Sequence, residues 1–110
     1  MAKGKFVIVK GSGGYRFNLL SSNGEPILHS ERYTSKDGAK RGIKSVKKHA
    51  GKAANYMEKK AKNGQMYFNL RAANNRIIGT SETYSSPAKC KNGIAAVKST
   101  AGGAAVVDKS

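Results

Sequence analysis

The sequence predicts an α+β protein in which two copies of a β-β-β-α unit share one hydrophobic core. Three observations lead to this prediction. The chain has 110 residues, which is enough for one ordinary domain but too few for two independent ones. Its two halves repeat each other, and each half shows alternating apolar residues followed by a helical pattern. We therefore predict one domain over residues 1–110, with a first repeat at about 5–54 and a second at about 55–107.

The repeat is clearest when each residue is compared with the one 51 positions later. Between positions 17 and 51, sixteen of 35 residues are identical in the two copies. The stretch FNLLSSNGEPILHSERY in the first copy corresponds to FNLRAANNRIIGTSETY in the second. Two copies are too few for a solenoid, which needs three or more repeats. We therefore expect a pseudo-two-fold pair of units around a common core, in which residues kept in both copies serve the shape.

Each unit begins with three predicted strands. KFVIVK and YMEKKA are the first strands, and YRFNLL then alternates apolar and polar residues, as a half-buried strand does. Asn23-Gly24 predicts a two-residue type I′ hairpin turn, and Asn74-Asn75 stands in the corresponding place. Pro26 follows at the margin of the return strand. The segment AAVV near the end of the sequence predicts one further short strand.

A helix follows the hairpin in each unit. Ser35 and Ser86 suit the N-cap position, and Pro87 comes next, where the first helical residue tolerates proline. Beyond the caps, apolar residues recur along one stripe of each helix. Gly42 and Gly93 lie within this stripe, where glycine costs about 1 kcal/mol relative to alanine. Because this cost is borne twice on the buried face, we expect the sheet to approach both helices closely at these glycines.

A longer motif in the second copy carries a family resemblance. YFNLRAANNRIIGTSETY, followed by NGIAAVK, matches the pattern F-N-L-x-A-x-N-x-x-I-I-x-x-S-E-x-Y and G-I-x-x-V-K of the YegP-like family, small bacterial proteins of unknown function. The first copy departs from this pattern at Ser21 and Pro26, and the resemblance spans nearly the whole chain. It implies a two-layer α/β fold of two tandem β3-α-β units, with antiparallel sheets and exchanged C-terminal strands. For a tandem member it implies a monomer, and it implies no activity.

Composition and charge exclude several classes of protein. Lys and Arg number 21 against 6 acidic residues, for a net charge of +15, which favours polyanionic partners. A single cysteine excludes an intrachain disulfide and a cysteine-based metal cluster. No apolar run is long enough for a signal peptide or a membrane span. We expect a cytoplasmic protein with no membrane contact, no metal and no cofactor.

The candidate functional surface is the polar face of the first helix. Seven basic residues fall between positions 36 and 52, opposed only by Asp37, and they lie opposite the apolar stripe. The second helix carries fewer basic residues on the matching face. Such a charge run is either a solvated face or a polyanion-binding surface. The candidate polyanion-binding residues are Lys36, Lys40, Arg41, Lys44, Lys47 and Lys48.

The function that these observations favour is a small non-enzymatic basic binding protein that contacts nucleic acid electrostatically. The alternative is a protein-interaction module that uses a sheet edge, to which an extended peptide can add. An enzyme is the least favoured class, because no spacing ties a nucleophile to a base and an orienting group. GSGG at positions 11–14 resembles a phosphate-binding loop only superficially, since it leads into a strand rather than a helix.

Three further features of the sequence have structural explanations. Cys90 corresponds to Ala39 on the apolar helix stripe, so we expect it in the core. His29 and His49 correspond to threonines and lack metal-ligand spacing, so we expect them at the surface or at strand edges. The Ser-Glu pairs at 30–31 and 81–82 recur in both copies. We expect them to form an ion pair or to cap the junction between strand and helix.

Overall fold

The computed structural model describes residues 4–110, so residues 1–3 of the predicted domain lie outside it. The described residues form seven strands and two α-helices, which confirms the α+β class. None of these helices is both long and apolar enough to cross a membrane. The elements are β1 (Lys5–Gly11), β2 (Gly14–Leu20), β3 (Pro26–His29), α1 (Lys36–His49), β4 (Tyr56–Lys60), β5 (Met66–Arg71), β6 (Ile77–Thr80), α2 (Pro87–Thr100) and β7 (Ala105–Asp108).

The strands form one continuous sheet in the order β4-β5-β6-β3-β2-β1-β7. We call β1 to α1 the first unit and β4 to α2 the second unit. The units meet at the centre of the sheet, where His29 of β3 lies opposite Thr80 of β6 in an antiparallel pair. Neighbouring strands are antiparallel except β1 and β7, which run parallel. The two units therefore share one mostly antiparallel sheet with a parallel pair at one end.

The exchange of final strands runs in one direction only. β7 follows α2 of the second unit and pairs with β1 of the first, with Phe6 opposite Val106. The repeat equivalents of β7 are residues 54–57. Tyr56 and Met57 of this segment already belong to β4 and pair with β5. Because one segment cannot be both β4 and its neighbour, β4 has no strand on its outer side among residues 4–110.

The hairpin turns differ from the predicted type I′. Gly24 has a φ of +85°, but Asn23 is not among the residues with positive φ. Gly24 N–H donates to the Ser21 carbonyl at 2.9 Å, and Ser21 N–H donates to the Glu25 carbonyl at 2.8 Å. The loop is therefore a three-residue turn closed by a left-handed residue, a position that Asn75 fills in the second unit with a φ of 68°. The repeated asparagine acts instead through its side chain, since Asn23 Oδ1 accepts from Glu25 N–H at 3.1 Å.

The helix starts follow the sequence predictions, whereas the close approach at each helical glycine comes chiefly from a tyrosine ring and not from the sheet. Ser35 accepts from the backbone of the first turn of α1, and Ser86 does the same for α2. A Cβ atom on Gly42 would lie 2.3 Å from Tyr33 Oη, so the tyrosine ring is what approaches the helix closely. Tyr84 crowds the matching glycine of α2 in the same way, at 2.4 Å. The two units share one core, whose largest fully buried side chains are Phe6, Ile8, Phe17, Leu19, Leu28, Val46, Phe68, Leu70, Cys90 and Val97.

Candidate functional site

The six residues predicted for polyanion binding all lie on α1, but two of them are engaged in ion pairs. Lys36 Nζ lies 3.0 Å from Asp108 Oδ2 of β7. Arg41 Nη2 lies 3.0 Å from Asp37 Oδ2, one turn earlier in the helix. These two pairs neutralise part of the charge that the sequence places on the helix. The contact with Asp108 was not predictable from helix spacing, because β7 reaches α1 from the end of the chain.

Four lysines of α1 remain free of ion pairs with the described residues. Lys40, Lys44 and Lys48 are exposed and follow one another at four-residue spacing, which stacks them along one side of the helix. Eight residues of helix span about 12 Å. Lys47 is half-buried, and its Nζ lies 5.8 Å from the centroid of the Phe6 ring, a cation–π contact. We call Lys40, Lys44, Lys47 and Lys48 the lysine strip.

A groove runs beside the lysine strip, between α1 and β7. Lys40, Lys44 and Lys47 form its rim, and Ile43 and Val106 supply its apolar part. Its volume is about 370 Å³. Val106 is 47% exposed although its side chain is apolar. Sequence reasoning missed this combination of cations and apolar surface, because the contribution of Val106 depends on the parallel pairing of β7 with β1.

The matching face of α2 is much less basic. Lys91 and Lys98 occupy two of the four corresponding positions, and Ala95 and Ser99 occupy the others. Lys91 Nζ also lies 3.4 Å from Glu58 Oε2 of β4. The lysines without ion pairs are therefore concentrated on α1, although the two helices have the same length and the same type of N-cap.

Two clefts are related to each other by the repeat. The first cleft lies between α1 and the β5–β6 hairpin and has a volume of about 440 Å³. The second cleft lies between α2 and the start of β3 and has a volume of about 390 Å³. Both are built on a tyrosine packed against a helical glycine, with a glutamate on the wall. These residues are Glu31, Tyr33 and Gly42 in the first cleft and Glu82, Tyr84 and Gly93 in the second.

The tyrosine hydroxyls of both clefts stay protonated at neutral pH. Burial raises the pKa of Tyr33, and the nearby Glu31 carboxylate raises it further. Burial likewise raises the pKa of Tyr84, with smaller contributions from Cys90 and Glu82. Neither tyrosine is therefore suited to act as a base near neutral pH, and each offers a neutral hydroxyl instead.

A hydrogen-bonded cluster joins the two units at the centre of the sheet. His29 Nδ1 lies 2.8 Å from Asn18 Oδ1, and its Nε2 contacts Glu82 Oε2 of the second unit. In the second unit, Thr80 Oγ1 donates to Asn69 Oδ1 at 3.0 Å, and this bond corresponds to the one between His29 and Asn18. Sequence reasoning found no partner for His29 or Glu82. The one feature of the sequence that pointed to these contacts was the recurrence of the asparagine and the glutamate in both copies.

The repeated serines have a structural task that explains their recurrence. Ser30 Oγ accepts from Phe17 N–H at 2.9 Å and donates to the Glu31 carbonyl at 2.7 Å. Ser81 Oγ makes the same two bonds in the second unit. Both hydroxyls close the junction between strand and helix, which was one alternative predicted for the Ser-Glu pairs, and the contact of Glu82 with His29 corresponds to the other. Since these hydroxyls are engaged with the backbone, they do not provide a nucleophile for His29.

The remaining candidates for chemistry are structural. Cys90 is fully buried in the core, and burial raises the pKa of its thiol. His49 Nδ1 lies 2.8 Å from the Ser45 carbonyl, and its Nε2 accepts from Ala73 N–H at 3.2 Å. This histidine therefore ties α1 to the second unit. Among residues 4–110, no three His, Cys, Asp or Glu side chains gather as a metal site requires.

Comparisons with known proteins agree with this architecture. A family described as a domain of unknown function (DUF1508) matches the chain twice, at residues 11–56 and 61–108. UPF0339 protein YegP of Yersinia pestis is 48% identical over 98 residues, 88% of each chain. The solution structure of YegP from E. coli, titled a protein of unknown function, has a TM-score of 0.93 at 42% identity and covers 99% of this chain and 95% of its own. A UPF0339 protein from Shewanella oneidensis has a TM-score of 0.90 at 44% identity and covers 98% and 92%.

Proposed function

We propose that this chain, which belongs to the DUF1508 family and carries two copies of its domain, is a non-enzymatic protein that binds nucleic acid through the lysine strip. The observation that carries the proposal is the asymmetry between the helices. Four lysines on α1 have no ion-pair partner among the described residues, whereas the matching face of α2 has two lysines, one of them paired with Glu58. A duplicated scaffold needs no such concentration of charge for its shape.

The arrangement of the strip supports nucleic acid over a simple anion. A line of cations about 12 Å long contacts several phosphates of one strand at once, and each contact releases condensed counterions. The adjoining groove offers apolar surface from Val106, which suits the sugar or base of an unpaired nucleotide. No base-reading motif accompanies the strip, so we expect little sequence preference.

Salt dependence provides the test. We expect short duplex DNA, followed by fluorescence anisotropy, to bind with a log–log salt slope of about −3.6 if all four lysines contact phosphates. Replacing Lys40, Lys44, Lys47 and Lys48 by Gln should remove most of this binding, because the remaining interaction depends only on general charge. Single-stranded RNA should show a shallower slope per contact, about −0.7 per phosphate.

A matched variant separates the strip from net charge. Lys59, Lys60, Lys62 and Lys98 lie outside α1 and are exposed, so their replacement by Gln lowers the net charge equally. We expect this variant to keep a slope close to that of the unaltered protein. Equal weakening by both variants would assign the binding to overall charge, and absence of binding at low salt would end the proposal.

A second candidate function is peptide binding at the outer edge of β4. In the first unit, β7 lies along β1 and Ile43 is only 2% exposed. In the second unit no described strand lies along β4, and the corresponding Ile94 is only partly buried. The occupant we infer is an extended peptide with the chemistry of β7, AVVD, which adds in parallel to β4 as β7 does to β1.

A synthetic peptide tests the edge directly. Titration of the labelled protein with a peptide containing AVVD should shift the amide signals of β4 and leave those of β1 unchanged, because β1 is already paired. A peptide with the same side chains but N-methylated backbone lacks the donors and should not bind. Peptide-induced shifts that miss β4, or none at millimolar peptide, would contradict this candidate.

A further inference from the structure

We infer that the first cleft is a binding site for a small phosphate ester, separate from the lysine strip and independent of nucleic-acid binding. Three arginines from three different segments line this cleft. Arg32 comes from the connection between β3 and α1, Arg41 from α1, and Arg76 from the β5–β6 hairpin of the second unit. Each arginine carries a planar set of donors that matches a phosphate or carboxylate group.

Comparison with the second cleft shows which of these residues the shape requires. The glutamate, tyrosine and helical glycine recur in both clefts. The arginines do not recur, because their repeat equivalents are Thr83, Asn92 and Glu25. The second cleft is lined by two carboxylates and one lysine, Lys89. The same cavity is therefore basic in one unit and acidic in the other, so its shape does not depend on the arginines.

The arginines of the first cleft are available to a ligand. Arg32 and Arg76 have no carboxylate within 4.0 Å among the described residues, while Arg41 is paired with Asp37. That pair is 79% and 75% exposed, and such exposed pairs contribute at most about 1 kcal/mol. An incoming anion with two negative charges competes with it readily. The site thus has two unpaired guanidinium groups and a third that is weakly held.

The GSGG loop makes room for one of these arginines. A Cβ atom on Gly14 would lie 2.9 Å from Arg32 Cγ and 2.4 Å from the Tyr33 carbonyl oxygen. Gly13 lies equally close, since a Cβ there would be 3.0 Å from Arg32 Nη1. The glycines at 13 and 14 also have φ values of 91° and 151°. The loop therefore packs against the Arg32 side chain and is not itself the phosphate-binding element.

The other walls define the rest of the ligand. Ile77 supplies apolar surface, and the Glu31 carboxylate provides hydrogen-bond acceptors for a ligand. A ligand that is complementary to the polar residues of the cleft has a phosphate that binds the arginines and a hydroxyl or amino group that donates to Glu31. The volume of about 440 Å³ admits a molecule the size of a sugar phosphate. A long polyanion fits less well, because Glu31 repels its further phosphates.

Titration of the full chain with three probes tests this inference. In NMR spectra we expect inorganic phosphate to shift the signals of Arg32, Tyr33 and Arg76 saturably. Ribose 5-phosphate should shift the same signals at lower concentration, and uncharged ribose should shift none. Arg32→Gln and Arg76→Gln should each weaken ribose 5-phosphate binding by about tenfold or more, the effect of losing one charged hydrogen bond.

Control variants separate this site from the lysine strip. Lys89→Gln alters the second cleft and should leave the affinity for ribose 5-phosphate unchanged. The double variant Lys44→Gln with Lys48→Gln should weaken DNA binding and leave the affinity for ribose 5-phosphate unchanged. The two proposals can therefore fail independently of each other. The inference is overturned if phosphate shifts spread evenly over the lysines, if both clefts respond alike, or if no saturable shift occurs.

Discussion

The first and second units share their backbone plan and differ in the charge around their helices. Both have a serine N-cap, a tyrosine on a helical glycine, and a serine that closes the junction between strand and helix. Around α1, however, stand the lysine strip and the three arginines of the first cleft, while α2 is flanked by an acidic cleft. The duplication thus separates two kinds of residue. The residues that recur with the same contacts in both units maintain the fold, and residues that differ between the copies are free to serve binding.

The largest effect should come from a core residue that both units keep. Phe17 and Phe68 are fully buried, and their rings lie parallel to Tyr33 and Tyr84 at centroid distances of 6.1 and 6.4 Å. Phe17→Ala and Phe68→Ala should each lower the free energy of unfolding by about 3–5 kcal/mol, measured by urea denaturation. Because the surroundings match, the two losses should agree to within about 1 kcal/mol. A small loss at one site would break the equivalence of the units.

The helical glycines should give the next largest effect. Gly42→Ala and Gly93→Ala place a Cβ atom within 2.4 Å of a tyrosine hydroxyl oxygen. Such overpacking should reduce stability by about 1–3 kcal/mol in thermal or urea unfolding, although alanine favours the helix.

Gly38→Ala is the matched control for the helical glycines, because its nearest contact would be 3.3 Å. This variant should be close to neutral, since the gain in helix propensity is set against only a small shift of the neighbouring Ser35 and Tyr33 side chains. An equally small effect of Gly42→Ala would show that the tyrosine does not constrain the helix.

The contact between His29 and Glu82 sharpens the comparison, because only one of the two glutamates faces a histidine. A double-mutant cycle with His29→Thr and Glu82→Gln should give a coupling energy of about 0.5–1 kcal/mol. The value is small because the two side chains are 42% and 48% exposed. Thr at position 29 reproduces the second unit, where Thr80 bonds to Asn69.

Glu31 supplies the control for this cycle. It is the repeat equivalent of Glu82 but is not bonded to His29. The cycle of His29→Thr with Glu31→Gln should therefore show no coupling. Equal coupling in both cycles would indicate a general charge effect rather than the contact between the units.

The smallest effect concerns the pH dependence of β7. Hydrogen bonds from Ser110 and the ammonium of Lys36 hold the pKa of Asp108 well below its ordinary value of 3.8. A carboxyl whose pKa is lowered on folding stabilises the folded state at pH values above its ordinary pKa. This stabilisation is lost as the pH falls toward the lowered pKa. We therefore expect hydrogen-exchange protection of Lys109 N–H, which bonds to the Ile8 carbonyl at 2.8 Å, to decrease below about pH 4.

Asp108→Asn tests the cause of this dependence. The variant should show the weaker protection at all pH values, with no further decrease attributable to position 108. If the unaltered protein keeps full protection of Lys109 down to pH 2, Asp108 does not hold β7 in place.

The sequence was sufficient for the features that depend on local spacing. Alternation in YRFNLL, the serine N-caps and the helical stripe all depend on neighbours within a few residues. The turn type was predicted wrongly, because Asn-Gly occurs in more than one hairpin loop and the asparagine here bonds through its side chain. Contacts such as Lys36 with Asp108 and His29 with Glu82 join segments over 50 residues apart. They follow from how β7 and β6 pair, which local patterns do not encode.

The candidate site was predictable in part for the same reason. Helical periodicity placed all six basic residues on one helix, as the structure does. It did not reveal that Lys36 and Arg41 are paired, because one partner lies in β7 and periodicity alone does not assign partners. Arg32 and Arg76 went unnoticed because they come from different units and meet only through the pairing of β3 with β6.

The most direct test is a chemical-shift map of both helices during titration with short DNA or RNA at physiological salt. If binding belongs to the residues that only the first unit carries, amide signals of α1 near Lys44 and Lys48 will shift, and those of α2 near Ala95 and Ser99 will not. Equal shifts on both helices, or none on either, would contradict the view that the two copies share a shape and differ in function.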